Sequence, residues 1–135
     1  MYGAAVDCIT NEQATPLHIA SQNGHIEIVK CLLKHRADVH AESGDKATPL
    51  HMSAKNGHAE VVALLLKNGA QVNSKAIHNL TPLHVSAVEG HVDVVSVLLQ
   101  NGADINLRNA NNDTPLMIAE GEGHTALVHR LKSHK

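Results

Sequence analysis

Histidine is the chemically most prominent residue of this chain, with twelve among 135 residues. Imidazole nitrogens are common zinc ligands, but a metal site needs three or four ligands that converge on one point. Seven of the histidines instead recur at a fixed sequence interval, namely His18, His51 and His84 in one series and His25, His58, His91 and His124 in another. Side chains repeated in this way form rows. We therefore predict that they are structural, hydrogen-bonded to backbone groups and threonine hydroxyls, and that the protein uses no metal and no cofactor.

Cysteine offers a second possible chemistry, because a thiolate beside a histidine is a nucleophile. Cys31 has His25 and His35 nearby in the sequence, but it falls between Val29 and Leu32, where packing is the ordinary role. Carboxylates are scattered without a convergent pair, and no Gly-rich phosphate loop of the Walker or dinucleotide type is present. The sequence therefore predicts no catalytic residue, and we expect a protein that is not an enzyme.

Charge and composition argue against further classes of partner. The formal net charge is −2, which gives no electrostatic reason to expect binding to nucleic acid. No apolar run approaches the length of a membrane span, so we expect no membrane insertion. The two cysteines, Cys8 and Cys31, have no metal-binding or redox spacing. We expect free thiols and a reducing, cytoplasmic location.

The elements that must position these side chains repeat along the chain. Thr-Pro-Leu begins at Thr15, Thr48, Thr81 and Thr114, so successive copies lie 33 residues apart. Gly-His pairs and leucine pairs keep the same interval, and several independent landmarks with one period are the signature of a repeat protein. Only one residue of the 135 is aromatic, so we expect thin layers of aliphatic side chains rather than one globular core.

Each unit predicts two helices joined by a turn. Threonine followed by proline suits a helix start, because the hydroxyl accepts a free backbone N–H and proline lacks one. Gly24 and its equivalents suit the left-handed turn that ends this first helix, and an apolar stretch with helical spacing then predicts the second. Gly69 and Gly102 follow the second helices. Arg36 takes that place in the first unit, where a left-handed backbone costs about 1 kcal/mol.

These units resemble the ankyrin repeat family over essentially the whole chain. The motifs are "TPLHIA" with "NGHIEIVKCLL", "TPLHMSAKNGHAEVVALLLKNGAQVN", "TPLHVSAVEGHVDVVSVLLQNGADIN" and "TPLMIAEGEGHTALVHRL". The resemblance implies an all-α fold in which helix-turn-helix units stack into a curved solenoid. It also implies β-hairpin loops that project at right angles from the helices.

The repeat interval divides the chain into five segments. Residues 1–10 match the tail of an incomplete preceding repeat, repeats 1 to 3 occupy 11–43, 44–76 and 77–109, and a C-terminal capping repeat occupies 110–135. Repeat 1 should leave part of its apolar surface without a neighbour. At the other end, Lys132 replaces a leucine, which is typical of a polar cap. A fragment of a longer array and a small complete protein both fit this pattern.

The resemblance implies a non-catalytic module that binds another protein through the hairpin tips and the concave face of the first helices. We therefore expect a protein partner, bound by a monomer. Function should lie at positions that differ between repeats, and the candidate partner-binding residues are Asp45, Lys55, Asn56, Ile77, His78, Leu80, Val88, Glu89, Asn111 and Asp113. The alternative is a structural spacer within a longer ankyrin array.

Repeat 3 differs most from the others, because Ile77, Leu80 and Val88 are apolar where the other repeats are mostly small or polar. An exposed apolar patch with a polar rim is typical of a contact site. We therefore place the energetic centre of binding in repeat 3, with Ile77 and Leu80 as anchors. The alternative is that these side chains pack on their own loop or on Met52 and Val85.

A modification site is also suggested by resemblance. The segment "LLQNGADIN" resembles sites that cytosolic asparaginyl hydroxylases modify in ankyrin repeats, with Leu98, Asp104 and Asn106 matching. Asn106 is the candidate, and Asn73 matches less well because Gln71 replaces the acidic residue. The alternative reading is an asparagine that only stabilises a turn.

Overall fold

The computed structural model describes residues 14–134, and the regular structure in this range is entirely helical. The main helices are α1 Pro16–Asn23, α2 Ile26–Lys34, α3 Pro49–Lys55, α4 Ala59–Lys67, α5 Pro82–Glu89, α6 Val92–Gln100, α7 Pro115–Glu122 and α8 Thr125–Ser133. A short 3-10 helix, Ile77–Asn79, precedes α5. The predicted all-α, helix-turn-helix architecture is confirmed.

The first helix of each pair begins at a threonine cap. In α1 the Thr15 hydroxyl accepts the backbone N–H of His18 at 3.3 Å, and the His18 ring nitrogen Nδ1 accepts the backbone N–H of Thr15 at 3.0 Å. Two N–H groups at the helix start are thus satisfied by side chains, which is a capping box with histidine in the usual place of glutamate. In α7, Met117 replaces the histidine, and its sulphur lies 3.4 Å from the backbone nitrogen of Thr114.

The turn between paired helices depends on glycine. Gly24 has a φ of 71°, and its equivalents Gly57, Gly90 and Gly123 have φ values of 78°, 76° and 75°. This left-handed conformation is accessible to glycine without the clash that a Cβ atom causes. Arg36 has a φ of 68°, so the left-handed turn expected at this non-glycine residue is confirmed.

The helix pairs stack in two layers. The first helices contact one another in the order α1, α3, α5 and α7, and the second helices in the order α2, α4, α6 and α8. The core lies between the layers, where Leu17, Leu50 and Leu83 of the first helices are buried beside Val61 and Leu98 of the second helices. Each layer thereby fixes the spacing of side chains from neighbouring repeats.

The two ends of the stack differ. Ile28 of α2 is 51% exposed, whereas its equivalents Val61, Val94 and Leu127 are at most 1% exposed because each packs on the preceding repeat. The prediction that repeat 1 leaves apolar surface without a neighbour is therefore confirmed within the described residues.

The last repeat ends in polar side chains. Lys132 and Glu120 occupy the positions of Leu99 and Ala87 in repeat 3, and their charged groups lie 3.8 Å apart. This ion pair places charged groups on the last helix pair, where repeat 3 has apolar side chains.

The loops between helix pairs, residues 35–48, 68–81 and 101–114, are here called the finger loops. Within residues 14–134 they contain turns and no strand. Hydrogen bonds join neighbouring fingers: the N–H of Ile77 donates to the carbonyl of Asp45, and that of Ala110 to the carbonyl of His78, both at 2.8 Å. The fingers are therefore held side by side along one edge of the solenoid.

Candidate functional site

Three buried histidines tie each repeat to the next, and they are here called the forward ladder. Nε2 of His18 lies 2.7 Å from the carbonyl of Ala47, that of His51 lies 2.8 Å from the carbonyl of Leu80, and that of His84 lies 2.9 Å from the carbonyl of Asp113. Each acceptor belongs to the following finger loop. The predicted structural role of these rings is therefore confirmed.

The hydrogen bonds of the forward ladder define one protonation state. In His51, Nδ1 accepts the N–H of Thr48 at 3.2 Å, and Nε2 must carry the proton that it donates to the Leu80 carbonyl. Burial lowers the pKa of His18, His51 and His84 below the ordinary value of 6.5, although the carbonyl contacts act in the opposite direction. All three rings are thus neutral members of the scaffold.

A second row of histidines connects each repeat to the one before it, and it is here called the backward ladder. Nε2 of His58 donates to the carbonyl of Gln22 at 3.0 Å. The equivalent contacts are His91 to Lys55 at 2.9 Å and His124 to Val88 at 3.0 Å. The sequence predicted a structural role for these residues. It did not predict that their rings contact the preceding repeat, because the acceptors are backbone carbonyls, which any residue type supplies.

The histidine rows do not create a metal centre in the part of the chain that the structure describes. Among residues 14–134, no three side chains of histidine, cysteine, aspartate or glutamate are grouped to hold an ion. The two ladders explain this arrangement, because each ring points at a backbone carbonyl of a neighbouring repeat.

Cys31 is solvent-exposed, so the expectation that it is packed in the interior is wrong. Its sulphur lies 3.8 Å from Nδ1 of His35, but that nitrogen is only 2.9 Å from the carbonyl of Cys31 and must carry a proton to donate there. It is therefore not placed to accept the thiol proton. Cys8 lies outside the described residues. Between residues 14 and 134, no helix is both long and apolar enough to cross a bilayer.

A groove of about 460 Å³ lies between the first helices and the finger loops of repeats 1 and 2. Ile19 and Met52 line it from the helices, and Gly44 and Asp45 line it from the finger. Ala14, Gln22, Ser43 and Lys55 complete the lining. The structure thus places two of the predicted partner-binding residues, Asp45 and Lys55, on this groove. Asn56 is exposed, and its amide donates to the carbonyl of Met52 at 2.9 Å.

The same side of repeat 3 carries exposed apolar side chains. Ile77 is 43% exposed and Val88 is 39% exposed. By repeat equivalence they occupy the places of Gly44 and Lys55, which line the groove. Leu80 is only half-buried. Its carbonyl has a structural role, since it accepts the backbone N–H of Ala76 at 2.7 Å and faces Nε2 of His51.

The other predicted residues combine exposed side chains with backbone that builds the finger loops. His78 has a φ of 63°, and its carbonyl accepts from Ala110. Asn111 is exposed, whereas Asp113 is half-buried and its carbonyl faces His84. The side chain of Glu89 is exposed at the end of α5. The surface that includes the groove and the exposed side chains of Ile77, Val88 and Glu89 is here called the groove surface.

Comparison with known protein families agrees with this architecture. A family model described as ankyrin repeats, with three copies, matches residues 1–76, 17–109 and 75–135. The chain belongs to the ankyrin repeat family. A comparison with curated proteins gave no match. Ankyrin repeats are generally protein–protein interaction modules and are typically non-catalytic.

The candidate modification site lies in an ordered turn of the third ankyrin finger. Asn106 is exposed, and its backbone N–H donates to the Asp104 carboxylate at 2.9 Å, as expected for a turn-forming aspartate. In the preceding repeat, the Asn73 amide oxygen accepts the backbone N–H of Asp104 at 2.9 Å. The Asn73 side chain therefore links two fingers, whereas hydroxylation of Asn106 remains a proposal.

Proposed function

We propose that this ankyrin-repeat chain recognises a partner protein through the groove surface, with the strongest contacts in repeat 3. The observation that carries the proposal is the exposure of Ile77 and Val88 on the side of the solenoid where the groove runs. Removing apolar surface from water is favourable by about 25 cal/mol per Å², before the entropy cost of association is subtracted. The protein acts by recognition and carries out no chemical reaction on its partner.

The repeat itself does not require these apolar side chains. Residues equivalent to Val88 are Gln22, Lys55 and Gly121, and residues equivalent to Ile77 include Gly44 and Ala110. A position that the fold leaves open to polar or small residues is free to specify a ligand. Ile77 and Val88 are thus better explained by a contact than by stability, and the half-buried Leu80 supports the same patch.

Charged side chains beside the patch supply specificity. Lys55 and Glu89 are exposed and have no charged partner among the described residues. Unpaired surface charges steer association and discriminate between partners more than they add to affinity. We propose that the bound segment presents an apolar side chain to repeat 3, an acidic group to Lys55 and a basic group to Glu89.

The two histidine ladders prepare this surface for binding. Each finger loop is held by a ring of the preceding repeat, as Leu80 is held by His51, and by hydrogen bonds to the adjacent finger. A surface that is ordered before binding loses less conformational entropy when the partner arrives. The monomeric solenoid in the cytoplasm is therefore a rigid template in this proposal.

The spacer function remains the second candidate, and the exposure of the apolar side chain of Ile28 favours it. Ile28 lies at the end where the preceding repeat of an array would stack. A spacer holds the parts on either side of it at a fixed distance and does not bind a partner through its groove. It would therefore tolerate charged substitutions at Ile77 and Val88 without loss of any interaction.

Site-specific photocrosslinking distinguishes the two functions. A photoreactive side chain is introduced at Val88 in one variant and at Ile28 in a matched control, since both native residues are exposed and apolar. Both variants are irradiated in a cytosolic lysate. Recognition through the groove surface predicts a discrete crosslinked protein from position 88 that is absent from position 28. No crosslink at position 88, or the same products from both positions, contradicts the proposal.

A further inference from the structure

Four asparagines of the chain are each followed by glycine, at Asn23, Asn56, Asn68 and Asn101. In such a pair the nitrogen of the glycine attacks the asparagine side chain more easily than elsewhere, because glycine has no side chain to hinder the approach. The product is a cyclic imide, and ammonia is lost. All four pairs lie at helix ends, so the fold decides which of them reacts.

Three of the four asparagine side chains are anchored to their own helix. The amide nitrogen Nδ2 of Asn56 donates to the carbonyl of Met52 at 2.9 Å. The same bond joins Asn68 to Leu64 and Asn101 to Val97, both at 2.8 Å. Because each of these hydrogen bonds holds the amide over the preceding turn, we expect it to hinder the approach of Cγ to the nitrogen of the following glycine.

Asn23 lacks this anchor. Its side chain is exposed and makes no hydrogen bond to another described residue. The attacking nitrogen does not distinguish this pair, since Gly24 N lies 3.3 Å from the carbonyl of Ser21 and Gly57 N lies 3.4 Å from that of Ala54. The glycines after Asn68 and Asn101 lie 3.1 Å from their acceptors. The unanchored side chain is therefore what sets Asn23 apart.

We propose that Asn23 is the site at which the folded protein undergoes spontaneous deamidation. The backbone nitrogen of Gly24 bonds to Cγ of Asn23, the Cγ–Nδ2 bond breaks, and ammonia leaves with the proton of the Gly24 N–H. Water then opens the cyclic imide at one of its two carbonyl groups. The products at position 23 are aspartate and isoaspartate, and no oxidant, reductant or enzyme is needed.

The aspartate product fits the surface of the repeat. Position 23 is equivalent to Asn56, Glu89 and Glu122, so two of the four repeats already carry a carboxylate there, and all four residues are exposed. Deamidation therefore adds a third carboxylate at this position, in repeat 1, while repeat 2 keeps the neutral Asn56. This change alters the electrostatic field that a charged partner meets.

The isoaspartate product does not fit as well. It adds a carbon atom to the backbone immediately before Gly24, where the fold is tight. A Cβ atom on Gly24 would lie 2.5 Å from Nδ1 of His58, and His58 itself donates to the carbonyl of Gln22. We expect the isoaspartate form to strain this contact of the backward ladder and to melt at a lower temperature than the aspartate form.

The proposal is tested by incubating the folded, full-length protein at mildly alkaline pH, digesting it and analysing the peptides by mass spectrometry. Fragmentation of the proteolytic peptides locates each loss of ammonia, and the four sites serve as internal controls for one another. Asn23 is expected to react about fivefold faster than the anchored sites, the factor that one net hydrogen bond supplies. A rate at Asn56, Asn68 or Asn101 equal to that of Asn23 overturns the proposal.

Two controls separate the fold from the local sequence. In denaturant the four pairs should react at similar rates, since glycine follows asparagine in each; a persistent preference for Asn23 there would show that the structure is not the cause. In the folded Asn23→Gln variant, the fast reaction should disappear and the slow reactions of the other three sites should continue unchanged. Continued fast loss of ammonia from this variant also overturns the assignment.

Discussion

Each histidine of the forward ladder has partners that suit a neutral ring. In His51, Nδ1 faces the N–H of Thr48, and Nε2 faces the carbonyl of Leu80. A proton added at Nδ1 would break the hydrogen bond from the Thr48 N–H and would have the Thr48 hydroxyl oxygen, 2.9 Å away, as its acceptor. This conflict agrees with the lowered pKa that burial gives to His18, His51 and His84.

The first prediction is acid lability. Because the folded pKa of these histidines lies below the unfolded value of 6.5, the unfolded chain binds more protons as the solution becomes acidic. Stability is therefore full above about pH 6.5 and falls as the pH drops below that value, by at most about 1.4 kcal/mol per histidine per pH unit. Urea unfolding at about pH 7.5 and 5.5 measures this change, and equal free energies of unfolding would contradict it.

The second prediction assigns the pH dependence to the ladder. Glutamine at position 51 retains an acceptor for the cap of α3 but does not titrate and is too short to replace the ring. His51→Gln should therefore lower the free energy of unfolding by about 1 kcal/mol at neutral pH, the net value of one hydrogen bond, and should reduce the pH slope. The Leu80 carbonyl loses the ring but keeps the N–H of Ala76. His35→Gln changes an exposed ring and is the control. If the free energy of unfolding of the variant had the same pH slope as that of wild type, His51 would not be a cause of the acid lability.

The glycine turns between paired helices have a second function at the scale of the element. Gly57 leaves room for the ring of His91, since a Cβ atom there would lie 2.9 Å from the ring atoms Nδ1 and Cε1. Gly69 also has a positive φ, but a Cβ atom there meets nothing within 4 Å. Comparing substitutions at Gly57 and Gly69 therefore separates the conformational role of glycine from its steric role.

The third prediction compares Gly57→Ala with Gly69→Ala. Both substitutions place alanine at a positive φ, 78° and 96° respectively, which costs about 1 kcal/mol. Gly57→Ala should cost about 1–3 kcal/mol more, because the His91 ring must move from the Lys55 carbonyl. The free energies of unfolding from urea titrations give the difference. Equal losses would show that the His91 ring can move without lowering the free energy of unfolding.

The fourth prediction concerns the stacking of second helices. Ile28 and Val61 are equivalent, but only Val61 is buried against a preceding repeat. Ile28→Asp should change the free energy of unfolding by about 0.5 kcal/mol or less, whereas Val61→Asp should cost several kcal/mol because it buries a charge. Thermal unfolding of the two variants measures the contrast. A large loss from Ile28→Asp would mean that this end of the stack is covered.

At the scale of the whole molecule, the repeat interval predicted most of the architecture. It located the cap at Thr15 and the turn at Gly24, because these features depend on local chemistry that each unit repeats. It did not predict the exposure of Cys31 or the acceptor of His58, since both depend on whether a neighbouring unit is stacked. Ile19, which lines the groove, was missed because it occupies an apolar position that recurs in every repeat.

The proposed binding site is a property of the whole solenoid. No single repeat forms the groove, since its lining comes from the first helices and a finger of adjacent repeats. The sequence indicated Asp45 and Lys55 because they vary between repeats, and the structure brings both to this groove. The ankyrin framework alone does not determine the partner, because the recurring residues are used for caps, turns and core.

Affinity capture from a cytosolic lysate tests the central claim most directly. Three folded proteins are compared: wild type, the Ile77→Glu/Val88→Glu variant, and an Ile28→Glu control that places charge on an exposed apolar residue outside the groove surface. Their melting temperatures are measured first, to ensure that lost binding does not reflect lost folding. We predict that wild type and the control capture the same protein and that the double variant loses it. Retention of that protein by the double variant would contradict recognition through repeat 3.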